Sequence, residues 1–75
     1  MKDLVEYIAK SIVSSPHEVR VKEEQEDGRL ILKLEVAPDD KGKVIGRQGG
    51  VAQSIRALLR VTAVKKGTRA TLDID

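Results

Sequence analysis

Cysteine, phenylalanine and tryptophan are all absent. Without cysteine the chain has no disulfides and no thiolate metal ligands. With Tyr7 as the single aromatic residue, the core has to be built from Leu, Ile, Val and Ala. No apolar run approaches a membrane span, and the charged start MKDLVEY has no signal-peptide apolar stretch. The expectation is a soluble cytoplasmic protein with no membrane partner. His17 is the only histidine. It follows Pro16 in a connection, away from cysteine or clustered carboxylates, so neither a metal site nor a catalytic base is expected there. Ser11 and Ser54 have no base in prospect, so no enzyme and no cofactor are expected.

Acid is also missing, locally. Between Lys41 and Thr71 there is no Asp or Glu. The formal net charge of +2 hides this asymmetry. Residues 1–40 carry six basic and ten acidic side chains, a balance of −4, and residues 41–75 carry eight and two, a balance of +6. A sign change of that kind points to one basic face and a polyanionic partner.

What is present reads as one domain spanning residues 1–75, small enough to bury only about 60% of its surface. Leu4, Ile8 and Ile12, with Val5 and Ala9 beside them, predict an amphipathic helix over 2–13 that stops at Ser14-Ser15-Pro16. Residues 18–24 and 29–36 alternate as strands. Asp27-Gly28 between them is a hairpin signal, because a tight turn needs positive φ. Pro38 breaks the second strand, and Asp39 or Asp40 is suited to cap a short helix over 40–45. A long helix follows from 50 to 66, with Val51, Ile55, Leu58, Leu59 and Thr62 on one stripe. Lys65, Lys66 and Gly67 end it. Residues 69–74 form a third strand, with Ala70, Leu72 and Ile74 inward. The order α-β-β-α-α-β predicts an α+β domain of two layers, a three-stranded sheet with three helices on one face.

Between the last two helices lies Gly46-Arg47-Gln48-Gly49. Its glycines let the chain turn sharply and clear space for a ligand. The next helix presents free N–H groups and its positive dipole end. Arg47, with Lys41 and Lys43 near by, adds formal charge. Such a loop suits nucleic-acid phosphates. The Walker A and dinucleotide patterns fit worse. The first needs Gly-Lys-Ser/Thr, and the second needs a preceding strand and a glycine where Val44 stands.

The pattern Ile45-Gly46-Arg47-Gln48-Gly49 between two helices resembles the KH domain, whose GxxG loop clamps a short run of nucleotides. The element order is similar to the bacterial, type II arrangement. IGRQGGVAQSIRALLRVTAVKKGTRATLDID resembles the KhpA family of small bacterial single-domain KH proteins along its whole length. The pattern departs at Ala52, where a larger aliphatic residue is common.

The resemblance implies binding of single-stranded RNA without catalysis. Gly46, Gly49, Gly50 and Val51 would frame the backbone. Arg47 and Lys43, with Lys41, would meet phosphates, and Gln48 would hydrogen-bond phosphate or sugar. Bases would lie between Ile45, the start of the long helix (Val51, Ala52, Ile55) and the second strand (Leu30, Leu32). It also implies work as an RNA chaperone or post-transcriptional regulator, with a role in cell-shape control. The scarcity of aromatics argues against stacking modules such as the RRM and for modest affinity.

Ala57, Val61 and Val64 fall on the side of the long helix opposite its core stripe. A helix apolar on two sides marks an interface, here for a homodimer. The resemblance implies self-pairing as well, and pairing with a larger KhpB-type partner. The competing reading is a protein-interaction module that works mainly through this dimerisation.

Overall fold

The computed structural model describes residues 1–74. Helix α1 spans Lys2–Ile12 and strands β1 and β2 span Arg20–Glu26 and Arg29–Glu35. Helix α2 spans Lys41–Ile45, α3 Gly50–Lys65 and β3 Arg69–Ile74. Single 3₁₀ turns at Pro16–Glu18, Pro38–Asp40 and Arg47–Gly49 join them. The order is that expected from the sequence, an α+β fold with one three-stranded sheet.

Local chemistry explains the boundaries. Asp27 and Gly28 both have positive φ, 52° and 74°, so the hairpin closes in two residues. The strand therefore runs on to Glu26, two residues beyond the alternating stretch that marks it in the sequence. At the end of α3, Gly67 has φ 70°. Its N–H donates to the Val64 carbonyl at 3.0 Å, and the Thr68 N–H donates to the Ala63 carbonyl at 2.9 Å. This is a Schellman closure, which satisfies the last carbonyls of the helix.

Strand β2 lies at the centre of the sheet, antiparallel to β1 and parallel to β3. Its Leu32 and Leu34 are fully buried under the helices, with Val21, Leu72, Val5, Ala9, Val44, Ile55 and Leu59. Arg20, Lys22, Glu24 and Lys33 alternate with these buried positions and are exposed. On that face Lys33 approaches Glu24 at 3.4 Å.

Helix α3 is rotated relative to the stripe its sequence suggests. Its buried residues are Ala52, Ile55, Leu59 and Ala63, while Leu58 is 49% exposed. The small residues Ala52 and Ala63 take buried positions that the apolar stripe did not include. That leaves the bulkier Leu58 on the flank.

Candidate nucleic-acid interface

The glycine loop is built by backbone conformations that few residues accept. Gly46 has φ 77° and ψ 173°, a region essentially reserved for glycine. A Cβ there would stand 2.7 Å from the Val51 nitrogen and 2.5 Å from its Cγ2, so α3 starts in contact with this glycine. Gln48 (φ 55°, ψ 28°) and Gly49 (φ 76°, ψ 12°) are consecutive left-handed residues. For Gln48 this conformation costs roughly 1–2 kcal/mol. The Gly49 N–H donates to the Gly46 carbonyl at 3.1 Å and closes the turn. Successive N–H groups in such a turn form an anion-binding concavity. The Gly50 N–H, the first of α3, donates to the Arg47 carbonyl, and no side chain caps this positive end of the helix.

The loop's own cation is Arg47, which is exposed. Lys43 is engaged elsewhere. Its ammonium lies 3.5 Å from Asp40 Oδ1 and donates to the Ser14 hydroxyl. Lys41, the first residue of α2, lines a separate cleft with His17, Arg20 and Glu35. Ile45 is 40% exposed beside the loop, Val51 is half-buried behind Gly46, and Gly50 opens α3 in solvent. The structure thus brings Ile45, Gly46, Arg47, Gln48, Gly49, Gly50 and Val51 together. Both lysines stand apart from that group.

Asp40 is buried, at 2% exposure, and its role differs from the helix cap read in the sequence. It occupies the position before α2, but its carboxylate makes no cap hydrogen bond there. It accepts the N–H groups of Ser14 at 3.1 Å and Ser15 at 3.0 Å instead. This ties the end of α1 to the start of α2, which carries the loop. The Ser14 N–H, then the Ser15 N–H and Lys43, hold its carboxyl below the ordinary aspartate value of 3.8, against the opposing effect of burial. A lowered folded-state value stabilises the fold above the unfolded value. That stabilisation is lost as pH falls through the lowered one. Asp40→Asn should therefore lower the melting temperature by several degrees at neutral pH. The gap to wild type should narrow below about pH 4, which thermal melts across pH will read.

Two grooves flank α3, and neither is the one expected from sequence. Leu32 and Ala52 are 0% and 3% exposed and belong to the core, whereas Ile55, though 2% exposed, contributes to the lining of the groove beside Arg47. On one side, Arg56, Arg60, Ala70, Thr71 and Leu72 line a cleft of about 270 Å³ between α3 and β3. β3 is an edge strand there, and the Arg56 guanidinium reaches the Leu72 carbonyl at 3.4 Å. Strand alternation gives Ala70 the same outward backbone direction as Leu72, so both offer hydrogen-bonding groups along this edge. On the other side, Ile8, Ile12, Val51 and Leu58 line an apolar groove of about 440 Å³ between α1 and α3, with Arg47 at its mouth. The β3 edge had no signal in the sequence, because strand order decides which strand is left open.

Val61 and Val64 are 55% and 71% exposed, and Ala57 is exposed beside them. They form an exposed apolar stripe along α3, whose Val64 also lines a hollow with Arg69 and Ala70 of β3.

A family model described as KhpA/KhpB, KH domain, matches residues 2–74. The chain is 49% identical over 74 residues to the RNA-binding protein KhpA of Clostridium acetobutylicum, covering 99% of each chain. It is 46% identical to the protein of that name from Halalkalibacterium halodurans, covering 99% of this chain and 97% of the other. For the protein of that name from Aquifex aeolicus the identity is 39%, covering 99% and 94%.

Proposed function

Because the chain belongs to the KhpA/KhpB family of KH domains, we propose that it binds single-stranded RNA, without catalysis, through the Gly46–Gly49 loop. The observation that supports this most is the loop itself. Two consecutive left-handed residues and the start of a 16-residue helix without a side-chain cap lie beside the exposed Arg47. Phosphate fits that spot by charge and by hydrogen bonding. Gln48, strained in place, would bond phosphate or sugar. Bases would then follow the α3–β3 cleft, where the edge strand offers backbone donors and acceptors and Arg56 and Arg60 supply charge. On this reading the protein is a cytoplasmic RNA chaperone or post-transcriptional regulator, and a part in cell-shape control comes with the family resemblance.

The test is Gly49→Asp. A Cβ at Gly49 meets nothing within 4 Å, and aspartate tolerates the left-handed region, so the fold should hold. A carboxylate facing the phosphate should weaken binding of a fluorescent single-stranded RNA about tenfold or more, while Gly49→Asn should bind nearly as wild type does. Wild-type affinity should fall steeply with salt. If a folded Gly49→Asp variant binds like wild type, the loop is not the site.

The stripe Ala57, Val61 and Val64 supports a second surface. It suits a homodimer, or a heterodimer with a KhpB-type protein, packed helix to helix. Two protomers would present two loops to one RNA and raise apparent affinity by linkage. If wild type binds no RNA, the protein is an interaction module that works through this stripe.

A further inference from the structure

We propose that the end of the α3–β3 cleft far from the glycine loop is a second phosphate subsite for the same RNA strand, formed by Arg29, Arg60 and Arg69. The inference rests on the loop holding RNA. The three arginines line one hollow of about 260 Å³ beside Val64, Thr68 and Ala70, and among the described residues no acidic one lines it. Arg29 and Arg69 are direct neighbours in the parallel β2–β3 register. Like charges in that relation destabilise a sheet. Glu26 stands opposite Arg29 on β1, yet the ion pairs among the described residues are those of Lys10, Lys33 and Lys43. All three arginines are exposed. The folded chain therefore holds three exposed arginines around one hollow, with like-charge repulsion between the adjacent Arg29 and Arg69. A phosphate would offset it, because the planar guanidinium fork matches phosphate oxygens.

Position connects this hollow to the loop. Arg60 lines both the hollow and the adjoining cleft with Arg56 and Leu72, so cationic side chains step along α3. From Gly50 to Ala63 the helix rises about 20 Å. That is roughly six nucleotides at the stacked spacing of about 3.4 Å, and fewer for a drawn-out strand. Measured along α3 from its start at the loop, a strand of that length reaches the hollow without leaving the protomer. An acidic protein segment would carry the same charge, but it would not be continuous with the ligand of the loop.

The experiment compares fluorescent oligouridylates of about four and about twelve nucleotides. Wild type should bind the longer one several-fold more tightly. Arg29→Gln/Arg60→Gln/Arg69→Gln should keep short-oligomer affinity and lose most of the gain with length. Its salt slope on the long oligomer should fall by roughly 2, from about 0.7 per phosphate contact. Removing like charges from adjacent strands should leave the melting temperature at or above that of wild type. Arg60→Gln alone repeats the test without touching the sheet. An unchanged length gain and slope in the triple variant overturns the proposal. So does an equal loss on replacing Lys2, Lys10 and Lys22, which would mean that charge number alone matters. Gly49→Asp separates this from the loop reading. If that variant keeps short-oligomer affinity, the loop reading falls, and the length comparison still decides the arginine subsite.

Discussion

Gly46→Ala should destabilise the domain by about 2–3 kcal/mol and abolish RNA binding, whereas Gly49→Ala should cost about 1 kcal/mol. In a GxxG motif the two glycines look equivalent. In the folded chain they are not. Gly46 combines a backbone conformation closed to other residues with direct contact against the first turn of α3, where an added Cβ meets the Val51 backbone at 2.7 Å. Backbone cannot swing aside as a flexible side chain can. Either α3 shifts or the loop unwinds, and both change the spacing between Arg47 and the helix N–H groups. Gly49 bears only the left-handed penalty, with open space around it. For a domain of this size the Gly46 cost corresponds to a fall in melting temperature of roughly 10–20 °C. Thermal melts of the two alanine variants side by side will read the difference. Equal melting temperatures would mean that Gly46 does not support α3.

On the proposed helix-to-helix pairing, Val61→Asp should lower self-association by at least about a hundredfold, while leaving the fold and short-oligomer RNA affinity intact. Val61 is 55% exposed in the single chain, so the carboxylate stays solvated when the protomer is alone. In a helix-to-helix pair, symmetry brings the two copies of one stripe together, and two unpaired carboxylates would be desolvated there at once. Sedimentation at micromolar concentration distinguishes the two masses. A Val61→Asp protein of unchanged dimeric mass would move the interface off α3. Loss of RNA binding by the short oligomer would mean that the dimer face and the loop are one site.

The parts of the fold that local chemistry decides were legible in the sequence. Asp27-Gly28 specified a two-residue turn because glycine and aspartate accept positive φ, and the structure has both residues there. The spacing of Gly46 and Gly49 marked the loop for a similar reason. Parts decided by contacts distant in sequence were not legible. The Asp40 carboxylate bonds Ser14 and Ser15 across 25 or 26 residues, and its placement before α2 looked like a cap. Leu32 was placed in a base groove because alternation shows that Leu30, Leu32 and Leu34 share a face. Alternation does not show that the helices cover that face. The rotation of α3 turned on Ala52 and Ala63, which carry little hydrophobic signal yet are buried at 3% and 1% exposure. Arg29 and Arg69 became neighbours only through the parallel register of β2 and β3.

The central position of β2 bears on the order in which the chain assembles. β1 and β2 meet across a two-residue turn, so their pairing closes a very short loop. β3 joins only after residues 36–68 have folded back, which requires α2, the glycine loop and α3 to be in place. Long closures carry the larger entropic cost and form late. The glycine loop therefore belongs to the late-closing half of the domain, between an early hairpin and a final strand. An RNA bound at the loop and along β3 would bind the folded chain and not the open one, and would stabilise the fold in proportion to the logarithm of its concentration.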